Sequence, residues 1–62
     1  MKDFYKELDD CITSYETRGK YWRNLEWCAN KIDWCYKWKK LPIEQIHSLA
    51  DRITKLFEEG YE

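Results

Sequence analysis

Residues 20–40, KYWRNLEWCANKIDWCYKWKK, constrain the fold more than any other stretch. They hold all four tryptophans, two of the three cysteines and a run of lysines. Wound as an α-helix at roughly 100° per residue, they carry two apolar stripes on different sides. Leu25, Ala29, Ile32 and Tyr36 share one line, flanked by Tyr21, Trp22, Cys28 and Cys35. This is the three- and four-residue spacing of a core-facing helix. Trp27, Trp34 and Trp38 line up on the opposite side, with Arg23, Glu26, Asn30, Asp33 and Lys37 between the stripes. One neighbouring layer covers the first stripe. The second has no cover in a small bundle, so it reads as a contact surface, because Trp and Tyr concentrate at binding hot spots. The plainer alternative is a central helix touching neighbours on two sides, its indoles half-buried under Lys and Arg stems.

Two breaks divide the chain. Gly19 can take the left-handed conformation that ends a helix. Pro42 forces Leu41 out of the α region and suits the first turn of a new helix. The first helix, residues 3–16, places Phe4, Leu8, Cys11, Ile12 and Tyr15 on one side, with Asp3 as its N-cap. The third, residues 42–59, has one stripe of Ile43, Ile46, Leu49, Ala50, Ile53, Leu56 and Phe57. Gly60 follows as its stop, and Tyr61 is placed to fold back on the bundle. Lys6 with Asp9 or Asp10, and Asp51 with Lys55, have intrahelical pairing distance. The expected fold is all-α: a small three-helix bundle, one domain over residues 1–62, with helices near 3–16, 20–39 and 42–59. A second arrangement is open. The apolar register Leu8, Cys11, Tyr15, Trp22, Leu25, Ala29, Ile32, Tyr36 runs through Gly19, broken in character only by Arg18. Residues 3–39 could then be one long helix, forming with the shorter last helix an αα-hairpin that dimerises.

Sixty-two residues bury about 60% of the surface their unfolded chain exposes, so the core supplies stability on the order of 3–5 kcal/mol. That favours a partner or self-association. Charge is nearly balanced at a formal −1, which argues against a general polyanion binder. No apolar run approaches the roughly 20 residues of a membrane span, and the acidic N-terminus lacks the apolar core of a signal peptide. Three cysteines, an odd number, do not form a secreted disulfide framework, so the expected compartment is the cytoplasm.

No chemistry-bearing motif emerges. Cys28 and Cys35 are two helical turns apart, roughly 10 Å along the axis, too far for one ion to bridge. His47 is the only histidine and has no nucleophile–base partner in the sequence. No metal, cofactor or catalytic residue is therefore expected, and the chain is not expected to be an enzyme. The reading is a non-enzymatic protein–protein interaction module: an adaptor, inhibitor or assembly factor, of the kind phages and mobile elements often encode. Its partner is another protein or its own copy, a homodimer being the simplest case. The expected anchors are Trp27, Lys31, Trp34 and Trp38, with Arg23 at the rim. The alternative is single-stranded nucleic-acid binding through residues 31–40. There Lys31, Lys37, Lys39 and Lys40 interleave with Trp34, Tyr36 and Trp38, offering cations to phosphates and rings to bases.

Overall fold

A computed structural model of the chain describes residues 3–60 and forms three helices: α1 (Phe4–Arg18), α2 (Leu25–Lys37) and α3 (Ile43–Glu58). Each packs on the other two, giving the all-α three-helix bundle. Tyr61 lies outside the described residues. Among those described, no helix is long and apolar enough to cross a membrane.

Local chemistry sets each boundary. Asp3 caps α1, its Oδ1 accepting from the Lys6 N–H at 3.0 Å. Gly19, at φ 73°, ends α1 in the left-handed region, and its N–H donates to the carbonyls of Ser14 and Tyr15. The continuous helix over 3–39 and its dimerising hairpin therefore do not form. α2 begins later than the periodicity suggests. Asn24 is its N-cap, the side-chain Oδ1 accepting from the Trp27 N–H at 2.7 Å. Tyr21, Trp22 and Arg23 consequently belong to the connection and not to the helix. The Tyr15 hydroxyl holds that connection down by donating to the Arg23 carbonyl at 2.9 Å.

The end of α2 has an unusual residue in a common motif. The Lys40 N–H donates to the Cys35 carbonyl at 2.8 Å and the Lys39 N–H to Tyr36 at 3.3 Å. Together they form a Schellman stop, whose turning residue is usually glycine. Here it is Lys39, at φ 54°. A side chain in that region costs about 1 kcal/mol that glycine would not. Pro42 stands at the N-cap of α3 rather than inside its first turn, so this helix starts without a side-chain cap.

The core is Leu8, Cys11, Ile12 and Tyr15 from α1, Leu25, Cys28, Ile32 and Cys35 from α2, and Ile46, Leu49, Ile53 and Leu56 from α3. Burying a side chain of Leu or Ile size stabilises by roughly 1.5–3 kcal/mol each, which offsets the ordering of the backbone. The α1 and α3 stripes are filled as the spacing predicts, except at the ends of α3, where Ile43 and Phe57 stay exposed. On α2 the core line stops short: Tyr36, expected inside, is exposed, while Ala29 is half-buried.

The three thiols are free and buried. Cys11 on α1 and Cys28 on α2 influence one another's titration. The neighbouring Cys28 holds the Cys11 thiol down, and Cys11 together with burial pushes the Cys28 thiol up. Burial raises Cys35.

One polar contact spans the bundle. Arg52 of α3 reaches Asp9 Oδ1 through Nη1 at 2.6 Å and Glu16 Oε1 through Nη2 at 2.8 Å. Its Nε donates to Glu16 Oε2 at 3.3 Å and its Nη2 to Thr13 Oγ1 at 3.0 Å. Among the described residues these are the ion pairs; the intrahelical Lys6 and Asp51–Lys55 pairs do not close.

Candidate interaction surface

The residues expected to form one indole face separate into two aromatic–cation clusters and one isolated ring. The first sits where the connection meets α2. The Tyr15 hydroxyl holds the Arg23 carbonyl, and the Arg23 side chain lies over the rings. The guanidinium lies 4.1 Å from the Trp22 centroid and 4.9 Å from that of Trp27. Trp22 is tilted against Trp27 at 6.5 Å and against Tyr21 at 5.7 Å. Trp27 is half-buried and packs on the core edge, so its role is partly structural. Trp22, which the helical spacing puts beside the core line, is the most exposed indole at 68%.

The second cluster joins α1 to α2. Phe4, in the first turn of α1, meets Trp34 at 5.4 Å with the rings inclined by 60°. The Lys31 ammonium bridges them, 5.1 Å from the Phe4 ring and 4.7 Å from Trp34. Lys40 approaches Trp34 at 5.7 Å. Cations over indole faces are attracted by the ring quadrupole, each contact worth roughly 0.5–1 kcal/mol at an exposed site. Trp34 is thus held in place while 37% exposed.

Trp38 belongs to neither cluster. It is the C-cap of α2, 61% exposed, and among the described residues it makes no ring or cation contact. Arg23 and Trp27 therefore meet at one end, Lys31 and Trp34 at the middle, and Trp38 stands alone beyond them. Trp22 and Phe4 join this surface without having been expected on it, and so does Lys40, expected beside Trp34 only in the single-strand alternative. The signal for Trp22 was Asn24, the capping residue two positions after the indole, which puts the helix start at Leu25.

Among the described residues, no three His, Cys, Asp or Glu side chains come together in a way that could hold a metal ion. No protein-family model, curated protein or solved structure matches this chain.

Proposed function

We propose that this chain is a small non-enzymatic protein–protein interaction module, an adaptor, inhibitor or assembly factor. Its contact surface is the aromatic and basic side of α2: Trp27, Lys31, Trp34 and Trp38, with Arg23 at the rim. The observation that carries the reading is the amount of indole left outside a filled core, with Trp22, Trp34 and Trp38 all exposed. Trp34 is also pre-positioned between Phe4, Lys31 and Lys40, so docking orders little that is not already ordered. Desolvation of the indoles supplies affinity, and the lysines and arginine pair with carboxylates at the edge. A second copy of the chain is the simplest partner, related by a two-fold axis. A reducing cytoplasmic setting suits three buried free thiols.

Sedimentation velocity on the parent, Trp34→Ala and Trp38→Ala tests this. Self-association should fall in both variants while helicity by circular dichroism stays unchanged. Association equal to the parent in both variants overturns the reading, and so does loss of the fold in Trp34→Ala, which would make Trp34 a core residue. Anisotropy of a labelled oligothymidine, rising with protein and weakening as salt increases, would favour single-strand binding by residues 31–40 instead.

A further inference from the structure

The α2–α3 side of the molecule carries a second surface that the tryptophan face does not use. Where α2 turns into α3 there is an open cavity of about 490 Å³ lined by Tyr36, Lys37, Lys39, Leu41, Ile43 and Ile46. A neighbouring cavity along the α2–α3 seam shares Tyr36 and Ile46 and extends past Ile32 and Asp33 to Ala50, Ile53 and Thr54. The two adjoining cavities make a short channel in which Tyr36 and Ile43 are the exposed apolar side chains, while Ile32, Ile46 and Ile53 are nearly covered.

The end at the α2–α3 turn is positively charged. Lys37 and Lys39 line the cavity itself. Lys31 and Lys40 lie over Trp34 on the other surface, and Asp33 lines the neighbouring cavity, so the positive charge is confined to the Lys37–Lys39 end. The first turn of α3 opens beside the same cavity without a side-chain cap, adding the positive end of a helix dipole. Glu44, in that first turn, offsets this in part but does not line the cavity.

Lys39 supplies the independent observation. The other left-handed residues among those described are Gly19 and Gly60, and Lys39 alone accepts that geometry with a side chain. Strain of this kind persists where the side chain is needed. At Lys39 the side chain forms part of the cavity wall.

We infer that this channel binds an amphipathic helical segment of another protein, with its apolar stripe along the seam and its acidic end at Lys37 and Lys39. The occupant's glutamates or aspartates face the two lysines and the open turn of α3. Its leucine-like side chains cover Tyr36, Leu41 and Ile43. This site is separate from the tryptophan surface, so it stands or falls apart from the function proposed above.

The test uses two fluorescein-labelled synthetic peptides of about 15 residues, long enough to form a helix on binding. Both carry the same leucine stripe, one with glutamates at one end and the other with lysines there. The glutamate peptide should bind the full chain at least about tenfold more tightly than the lysine peptide, and less tightly as salt rises. Lys39→Gly should raise the melting temperature by roughly 4–8 °C, since it relieves the backbone, yet weaken the glutamate peptide at least about threefold. Trp38→Ala should leave that binding unchanged. Equal binding of the two peptides, or undiminished affinity in a stabilised Lys39→Gly, overturns the inference. Self-association that Ile43→Lys abolishes, with no binding of the glutamate peptide, would mean that a second copy fills the channel and overturns it as well.

Discussion

Replacing Arg52 by Ala should loosen α3 from α1 more than any other single surface change. The guanidinium spends its fork on two carboxylates and one hydroxyl, all on α1: Asp9 at 2.6 Å, Glu16 at 2.8 Å and Thr13 at 3.0 Å. Asp9, Thr13 and Glu16 follow one another at four- and three-residue spacing, so one stripe of α1 presents all three. The Arg52 side chain is 29% exposed and both carboxylates 37%, so water and salt screen the contacts. An isolated exposed pair contributes about 0.2–1 kcal/mol. Two pairs on one rigid fork, one of them bidentate, sum to about 1–2 kcal/mol. Both neighbours keep the guanidinium charged: the hydrogen bonds to Glu16 and then Asp9 raise its pKa further. For a domain of this size, 1–2 kcal/mol lowers the melting temperature by roughly 5–15 °C. Arg52→Lys should recover less than half of the loss, because an ammonium cannot serve both carboxylates with the same geometry. Thermal melts by circular dichroism at low and high salt would measure this, with the parent converging on Arg52→Ala as salt rises. The decisive number is the coupling between Arg52→Ala and Glu16→Gln in a double-mutant cycle. A coupling of zero, or an Arg52→Ala variant that melts within about 2 °C of the parent, would refute the clamp.

Two further predictions concern the α2 connection and the buried titrating groups. Asn24→Ala removes the cap on the Trp27 N–H and should cost about 1 kcal/mol in chemical denaturation; no loss would mean that α2 does not start where Asn24 caps it. Alkaline pH should destabilise the fold. Burial raises Tyr15 above 10.0 and Cys35 above 9.0, so the folded state holds protons that the unfolded chain gives up. Their contribution is complete below about pH 9 and is lost as pH rises through the folded values. Cys28, raised by Cys11 and by burial, adds to this slope, and Cys11, lowered by its neighbour Cys28, opposes it. Urea midpoints should fall between about pH 9 and 11, less steeply in Tyr15→Phe, and a flat profile would contradict the burial argument.

Helix number and order were legible because the breaks are local chemistry. Gly19 and Leu41–Pro42 act through their own backbones, and Asp3 through an amide three residues away. The α2 start was misread because Tyr21 and Trp22 fit a helical period, while Asn24 decides the matter by a single hydrogen bond. Tyr36 was misplaced for a different reason. Periodicity fixes a residue's angle around the helix axis, not how far along that axis a neighbour reaches. Ile43 and Phe57 at the ends of α3 escape the core in the same way. The Arg52 clamp depends on two helices packing side by side, and spacing within one helix carries no trace of it. Of the contact surface, the cations and rings could be identified from sequence, but their division into two clusters could not. That division follows from Phe4 meeting Trp34 from α1 and from Arg23 lying over Trp22 and Trp27.

The buried core contains leucine, isoleucine, cysteine and one tyrosine, and no tryptophan. Every indole is therefore at or near the boundary with solvent, and the protein's own ultraviolet emission reports its wrapping more than its filling. Melting the interior should alter that signal modestly, because Trp22 and Trp38 start wet and stay wet. Covering the outside would shift it to the blue. In this molecule the intrinsic chromophore is a ready-made probe of company rather than of folding.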